Sequence, residues 1–313
     1  MQTLRPSAIR VWHNGPGAPP SRALLDEAGA ELHQSGENLG FGEGINRLVA
    51  LVHADIAVIC NPDLALDPAC IERLQAALVA DESAIVAGAA LSTDETPARV
   101  NAFALRLTWD LLGINIERGA TLESLMTHSM DSQREPLGPS GALFAVHLPR
   151  YRAALGGPLF IGSLFLYLED VALWLRLRRA GAQILFCPGA HAVHAWSSST
   201  GQRSARKLYF VERNRLWLVR ALRGRAMALV LLPFTLFRYA AYLARGRRTQ
   251  TQTQAQDPTR TSEMLGAFWH ALLDGFARAL PDDLASAFAV RGTTPSLRRY
   301  TARLRDQLRN PVE

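Results

Sequence analysis

The chain contains 313 residues, of which 48% are hydrophobic and 20% charged, so it can bury a substantial core in one large or two small domains. Its net charge of +6 fits a nucleic acid, an anionic membrane or a phosphorylated substrate, but Lys207 is the only lysine and an arginine excess can reflect coding bias. Cys60, Cys70 and Cys187 lack metal-ligand spacing, which excludes a cysteine-rich metal centre and indicates a reducing compartment.

The first part of the sequence alternates β-rich runs with helical stretches. Strands are predicted at residues 9–12, 54–60 and 85–89, and helices at 21–29 and 68–79. Such alternation is typical of an α/β domain with a largely parallel sheet, whose ligands bind at the carboxyl ends of the strands. The N-terminal residues contain no long apolar run after a basic start, which predicts no secretory signal and a cytoplasmic location.

Beyond residue 200 the pattern becomes helical and divides the rest of the chain. We predict an α/β domain over residues 1–202, basic and apolar helices over 203–248, a Thr/Gln-rich linker over 249–258 and a helical appendage over 259–313. The appendage has apolar residues at helical spacing that must pack on something: Met264, Leu265, Phe268, Trp269, Leu272, Leu273 and Phe276.

Residues 226–244 are apolar, with arginines on both sides. Because Pro233 and Arg238 lie inside this run, an interfacial or re-entrant helix pair with arginines on lipid phosphate fits better than a transmembrane span. The alternative is an ordinary buried core helix. The arginines of 203–225 alternate with Leu, Trp and Val as in an amphipathic helix, which argues against nucleic acid as a partner.

Two motifs precede helices or follow strands where ligands bind. Residues 37–46, Glu-Asn-Leu-Gly-Phe-Gly-Glu-Gly-Ile-Asn, place glycines before a helix, where backbone N–H groups can approach a phosphate, although such a turn is often structural. Asn61-Pro62-Asp63 follows a strand and presents a carboxylate that a divalent cation on a diphosphate would use. The equally simple alternative for Asp63 is a turn or helix-capping residue.

Two further motifs carry ionisable groups. Glu169-Asp170 begins a helix, where acidic residues are favoured by the helix dipole and need have no other role. The strand-like run 187–194 carries His191 and His194, and a histidine in such a place is more often a satisfied polar residue than a ligand.

Eight short motifs occur in one order along the chain between about residues 11 and 214. They are Asn38-Leu-Gly-Phe-Gly42 with Asn46, Asn61-Pro62-Asp63, Ser140-Gly141-Ala142, Gly156-Gly157, Tyr167 with Glu169-Asp170, Arg176 with Ala180-Gly181, Pro188 with His194, and Glu212-Arg213-Asn214. This series resembles the family 2 glycosyltransferases of the GT-A type, and within them the rhamnosyltransferase-like group.

The resemblance implies a Rossmann-like sheet and an inverting, single-displacement sugar transfer. Asp63 would hold Mg²⁺ or Mn²⁺ on the donor diphosphate, with His194 as a further ligand. Asp170 would be the general base, and Glu169 would orient the acceptor or the helix start. Donor contacts would come from seven further residues: Asn14, Asn38, Gly40, Asn46 and Asn61 beside the nucleotide, and Gly141 and Ala142 near the sugar.

The resemblance also implies partners and a location. The donor would be a nucleotide sugar, carrying rhamnose or another deoxyhexose, and the acceptor a glycan or a polyprenyl-diphosphate-linked glycan of a cell-surface polysaccharide. The protein would act peripherally on the inner face of the cytoplasmic membrane.

The sequence departs from the family at several places. Only eight residues precede Ile9, so the usual first strand, Val-x-Ile-Val-x-Thr-Tyr-Asn, and its helix have no counterpart, and apolar surface should be exposed or covered by another segment. His13, Pro158-Leu159 and Ala172 stand where the family usually has Asp, Phe-Asp and Asp. These departures bear on nucleotide choice and efficiency more than on the reaction class. The missing first strand supports a second hypothesis, a non-catalytic relative that serves as membrane-bound partner of another transferase.

Overall fold

The computed structural model describes residues 2–127, 136–194, 204–249 and 258–289. These residues form two compact units, one within Met1–Ser197 and one within Ser198–Val290. The first unit combines strands and helices, which confirms the predicted α/β class, and the described residues of the second are helical. The domain boundaries predicted at 202, 248 and 258 stay predictions; residues 195–203, most of the predicted linker (250–257) and the end of the predicted appendage (290–313) lie outside the described residues.

The first unit contains eleven strands, six α-helices and a 3-10 turn in its described residues. In chain order they are β1 (Ile9–Asn14), α1 (Arg22–Ala28), β2 (Ala30–Ser35), α2 (Phe41–Ala50), β3 (Ile56–Cys60), β4 (Leu64–Leu66), α3 (Cys70–Ala80), β5 (Ala84–Ser92), β6 (Val100–Ala102), β7 (Ala104–Leu107), β8 (Gly113–Ile116), α4 (Leu122–Thr127), β9 (Gly138–Pro139), β10 (Leu143–His147), α5 (Leu148–Ala154), the 3-10 turn (Gly162–Leu164), α6 (Glu169–Arg179) and β11 (Gln183–His194).

The larger sheet is mixed, so the prediction of a largely parallel sheet is wrong for it. Its strand order is β3-β10-β5-β11-β4, and β6 pairs with β5. Among its described strands, β5 and β11 are the parallel pair, whereas the other pairings are antiparallel. The physical reason is that β10 returns between β3 and β5 in the opposite direction, and the short strands β4 and β6 run against their neighbours.

Strands β1 and β2 form a separate two-stranded parallel sheet. Among the described residues, β1 pairs with β2 alone, and β3 pairs with β10 alone. In the described residues, therefore, no strand joins the smaller sheet to the larger one.

The core of the larger sheet forms around β5, whose nine residues are all buried. Helix α3 covers it with Cys70, Leu74 and Leu78, which are spaced by one helical turn and are fully buried. Burial raises the pKa of the Cys70 thiol to about 12, which fits a small apolar core residue rather than a reactive thiol.

The second unit consists of helices in its described residues: α7 (Ala205–Arg223), α8 (Arg225–Val230), α9 (Leu232–Thr249), α10 (Pro258–Phe276) and α11 (Asp282–Ala289). Its core joins Leu216, Tyr239, Phe268 and Leu272, and the rings of Tyr239 and Phe268 stack with centroids 3.9 Å apart. None of the described helices is long and apolar enough to cross a membrane.

The apolar stripe predicted for α10 is only half buried. Met264, Phe268 and Leu272 face the helical core, whereas three neighbours one position further along remain exposed: Leu265, Trp269 and Leu273. The stripe spans two adjacent helix faces, and only one of them meets the other helices of the chain, so the prediction that the whole stripe packs stays a prediction for the exposed face.

Two arginines of the basic stretch lie inside the second unit. Arg215 is fully buried and donates to Glu212 at 3.0 Å and to Thr235 at 2.8 Å. The guanidinium of Arg213 lies 4.3 Å from the centre of the Trp217 ring, a cation–π contact. Such pairing offsets the cost of burying a charge, so removal of a partner would leave a guanidinium uncompensated in the helical core.

Candidate active site

The carboxyl ends of β3 and β11 lie at the same edge of the larger sheet. Asp63 lies in the turn after β3, and His194 ends β11. Because β11 pairs with β4, His194 lies opposite Leu64, and its Nε2 is 3.2 Å from Asp63 Oδ2. The side chains of Asp63 and His194 are 24% and 22% exposed, so a ligand from solvent can reach them.

Asn101 extends this pair, and sequence analysis missed it. Asn101 is buried in β6, and its side-chain Nδ2 lies 3.4 Å from His194 Nδ1. A partner on Nδ1 orients the imidazole and leaves Nε2 to face Asp63 or a ligand. No sequence signal could have identified Asn101, because residues 93–139 contain no recognisable motif and the contact depends on β6 pairing with β5.

Asp63 and His194 fit a divalent cation as part of its ligand set. Mg²⁺ and Mn²⁺ use few protein ligands and take the others from phosphate and water. The side-chain Oδ1 of nearby Asn61 is buried and has no hydrogen-bond partner in the described residues, so it offers a further oxygen. In the same parts of the chain, no group of three or more His, Cys, Asp or Glu residues could hold a metal by itself.

Asp170 begins α6 beside a glycine turn. Gly141 N donates to Asp170 Oδ2 at 3.2 Å, and Val171 N donates to Oδ1 at 2.7 Å. A Cβ at Gly141 would come within 2.7 Å of the Asp170 Cβ, so glycine is required for this close approach. Burial raises the pKa of Asp170, and the hydrogen bonds from the two backbone N–H groups oppose that rise.

The pairing of β3 with β10 joins these two parts of the site. Asn61 N donates to Ala142 O at 2.9 Å, so a short stretch of main chain links the Asp63 turn to the turn that contacts Asp170. The structure therefore brings together six residues that the sequence singled out: Asn61, Asp63, Gly141, Ala142, Asp170 and His194.

Glu169 is the buried neighbour of Asp170. It is 8% exposed, and its Oε2 has no hydrogen-bond partner in the part of the chain that the structure describes. Burial, and after it the Asp170 carboxylate, raise the pKa of Glu169 to about 8. The raised pKa favours the neutral form of Glu169, which leaves the negative charge of the pair to Asp170.

Replacing Glu169 with glutamine is expected to flatten the pH dependence of stability. The carboxyl has a raised folded-state pKa, so its contribution is complete below the unfolded value of 4.5 and is lost as pH rises through about 8. The free energy of unfolding should fall over this range in the wild type and fall less in the variant. Urea denaturation at a series of pH values measures this free energy, and the variant of an exposed residue, Glu123→Gln, serves as control. If the free energy of unfolding depends on pH in the same way in the wild type and in Glu169→Gln, the prediction is contradicted.

The segment before α6 holds a strained backbone. Phe165, Tyr167 and Leu168 have φ values of 65°, 66° and 66°, a left-handed conformation that costs about 1–2 kcal/mol for a residue with a side chain. Phe165 also has ψ −58°, and Leu166 N donates to Leu164 O at 2.7 Å, which defines a γ-turn. Such strain clusters at ligand sites, and this segment sets the direction in which Glu169-Asp170 enters α6.

Asparagine side chains build the glycine-rich turn before α2. Asn14 Oδ1 accepts from Leu39 N at 2.7 Å, and Asn14 Nδ2 donates to Gly40 O at 2.8 Å. Asn38 Oδ1 accepts from Gly40 N at 2.9 Å. Both amides thus hold the main chain of the turn, and their contact with a nucleotide stays a prediction.

The same turn packs tightly on the segment before α6. Gly40 has φ 83°, and a Cβ there would collide with the main chain of Phe165. A Cβ at Gly42 would come within 2.9 Å of the Phe160 Cβ, and Asn46 donates to and accepts from the Phe160 backbone, each at 2.9 Å. These glycines therefore have a packing reason besides the approach to a ligand that the sequence suggested.

The sequence of the chain matches one family model over both parts of this site. The matching model is described as glycosyltransferase-like family 2 and covers residues 27–221, from before α2 into α7. The chain belongs to this glycosyltransferase family. The family resemblance predicted from the eight motifs is confirmed, and the Asp63, Asp170 and His194 positions all lie within the match.

This family 2 glycosyltransferase is similar to two Mycobacterium tuberculosis proteins, from strains CDC 1551 / Oshkosh and ATCC 25618 / H37Rv. Each is named N-acetylglucosaminyl-diphospho-decaprenol L-rhamnosyltransferase and is 26% identical over 226 residues, which cover 66% of this chain and 73% of the relative. A crystal structure of GalNAc-T7 with UDP, GalNAc and Mn²⁺ matches with a TM-score of 0.49 and 13% identity; the match covers 69% of this chain and 42% of that one.

Proposed function

We propose that this glycosyltransferase moves a sugar from a nucleotide-diphosphate donor to an acceptor hydroxyl in one inverting displacement. The proposal is carried by two groups that the main-chain hydrogen bond between Asn61 and Ala142 links. The Asp63–His194 pair lies on the Asn61 side of this bond, and Asp170 contacts Gly141 on the other side. A cation-binding pair and a separate carboxylate supply the two needs of such a transfer, charge neutralisation on the leaving diphosphate and a proton acceptor.

Asp170 is the general base of the proposed reaction. The hydrogen bonds from Gly141 N and Val171 N hold its carboxylate in a fixed direction. Burial raises the pKa of Asp170 and so brings its basicity closer to that needed at neutral pH. Glu169, neutral beside it, orients the acceptor hydroxyl or the start of α6.

Asp63 and His194 hold Mg²⁺ or Mn²⁺ in this proposal. When bound, the cation neutralises the charge that develops on the leaving diphosphate. Asn101 supports the pair by fixing the His194 ring from its Nδ1 side.

The donor lies between the glycine-rich turn and the turn that contacts Asp170. Asn14, Asn38, Gly40 and Asn46 shape the nucleotide side, since their hydrogen bonds set the main-chain path of the turn. Asn61 adds a buried side-chain oxygen beside Asp63, and Gly141 with Ala142 lies next to Asp170, where the transferred sugar must meet the acceptor.

The relatives suggest the class of substrate. Their name describes transfer of L-rhamnose to a sugar carried on a decaprenyl diphosphate. We extend this to rhamnose or another deoxyhexose as donor sugar, and to a glycan or polyprenyl-diphosphate-linked acceptor in cell-surface polysaccharide synthesis. Work on such an acceptor would place the protein peripherally at the inner face of the cytoplasmic membrane.

A second candidate function is a non-catalytic partner of another transferase. It is favoured by the divided sheet, because β1 and β3 share no pairing and the glycine-rich turn follows the smaller sheet. The proposed donor pocket would be built from both sheets, and in the described residues no strand joins them.

Calorimetric titration with dTDP, UDP and GDP, with and without Mn²⁺, tests the donor site. We expect one nucleotide to bind, and to bind only with Mn²⁺, which would also identify the base of the donor. Equal binding without metal would contradict the role of Asp63 and His194. No binding of any of the three nucleotides would favour the non-catalytic partner.

A further inference from the structure

An exposed apolar surface lies on α8 and α9 of the second unit. Val230 and Phe237 are 70% and 69% exposed, and Met227, Leu229 and Leu236 are exposed as well. Large apolar side chains scattered singly are normal on a protein surface, whereas five exposed ones within residues 227–237 are an unusual concentration. We call these five residues the α8–α9 surface.

Helix α9 is firmly attached by its opposite side. Thr235 is fully buried and accepts from Arg215, and Tyr239 stacks on Phe268. Successive residues of a helix differ by about 100° around its axis, so Phe237 points away from the side that carries Thr235 and Tyr239, and Leu236 lies at the flank of that side. The α9 part of the α8–α9 surface is therefore exposed although the opposite face of the same helix is well packed.

The charge beside this surface is positive. Arg223 and Arg225 are exposed at the junction of α7 and α8, directly before Met227. Desolvation lowers the pKa of Arg220, and the nearby charge of Arg225 lowers it further, so positive charges are concentrated at this corner. Between residues 204 and 249 the only acidic residue is Glu212, which is buried and ion-paired with Arg215 and Arg238.

We propose that the α8–α9 surface docks on the anionic surface of a phospholipid membrane, with its apolar side chains among the upper acyl chains and Arg223 and Arg225 on lipid phosphates. Apolar residues next to arginines are the combination that such an interface binds. A second copy of the chain fits less well, because a symmetric contact would bring the same arginines together. The inference rests on the proposed function in one respect: the lipid-linked acceptor of that function is what docking on a membrane would bring near the enzyme.

Flotation of the full-length protein with vesicles tests this proposal. We expect binding to phosphatidylcholine vesicles that contain phosphatidylglycerol, weaker binding to phosphatidylcholine alone, and weakening by salt. Val230→Ser with Phe237→Ser should lower the vesicle affinity by about tenfold or more. Arg223→Gln with Arg225→Gln should lower binding to the anionic vesicles and leave binding to phosphatidylcholine unchanged.

The matched control is Leu24→Ser with Val79→Ser, which removes side chains of similar exposure, 58% and 62%, from the first unit. This control should bind vesicles like the wild type, and circular dichroism checks that each variant is folded. Absence of wild-type binding to either vesicle, or equal binding by the control and the Val230/Phe237 variant, would overturn the proposal. So would self-association in sedimentation velocity that the Val230/Phe237 variant abolishes. Nucleotide binding is measured by titration without vesicles. A protein that fails to bind vesicles can therefore be distinguished from one that fails to bind the nucleotide.

Discussion

Replacing Asp170 with asparagine is expected to lower kcat for sugar transfer by about 10²–10⁴-fold, the range that a positioned general base contributes. Asparagine keeps an oxygen that can accept from Gly141 N, but it cannot take the acceptor proton. Because burial raises the pKa of Asp170, we also expect wild-type kcat/KM to fall as pH decreases through that raised value. Release of nucleoside diphosphate from the donor identified by calorimetry measures both effects.

The control for Asp170 is Asp282→Asn, which also removes a carboxylate from the first turn of a helix. It reproduces the lost interaction with the helix dipole in a helix of the second unit, so kcat should stay at the wild-type level. Binding of the nucleotide by Asp170→Asn should also persist, since the base acts on the acceptor. An Asp170→Asn enzyme with wild-type kcat would assign the base to another group, with Glu169 the nearest carboxyl.

Replacing Asp63 with asparagine is expected to abolish metal-dependent nucleotide binding. The amide is neutral and cannot supply the carboxylate that pairs with His194 at 3.2 Å, so a divalent cation loses its charged protein ligand. The loss should appear in calorimetry as similar, weak binding with and without Mn²⁺. Sugar transfer should fall with it, because the diphosphate would leave without charge neutralisation.

A closely matched control for Asp63 lies four residues further along. Asp67 is similarly exposed and also faces a histidine, His191, at 3.6 Å. Asp67→Asn retains the oxygen that accepts from Ala69 N, so it should leave metal-dependent binding intact. If both variants lose binding equally, the effect would reflect general damage to this edge of the sheet rather than a ligand role for Asp63.

The parts of the site with local sequence signals were predictable. Asn61-Pro62-Asp63 follows a strand at its carboxyl end, and Glu169-Asp170 begins a helix, as their composition indicated. The helix predicted from Ser21 to Gly29 is confirmed with Ser21 as its cap and Gly29 at φ 62°. Pro62, Ser21 and Gly29 have strong conformational or capping preferences that mark their boundaries, whereas α6 begins after Leu168, whose φ of 66° the sequence does not indicate.

The remaining features depend on contacts between distant residues. Strands β4, β6 and β9 have only two or three residues. Such short strands show no alternation of apolar and polar residues, so the mixed sheet could not be predicted from the sequence. Asn101 and Phe165 reach the site because of the backbone paths of β6 and of the strained turn before α6. The amino-acid composition of these two segments does not indicate those paths. The half-buried stripe of α10 shows the same limit, since hydrophobicity alone does not say which of two helix faces meets a partner.

The position of β11 governs when the site can form during synthesis. It is the last described strand of the first unit along the chain, yet it lies inside the larger sheet between β5 and β4. Asp63 and His194 are 131 residues apart, so a nascent chain that has emerged only as far as β10 has neither this pair nor a cover for one edge of the apolar β5. Until His194 leaves the ribosome, that open edge can bind a chaperone or aggregate, and the Asp63–His194 pair is the last part of the site to form.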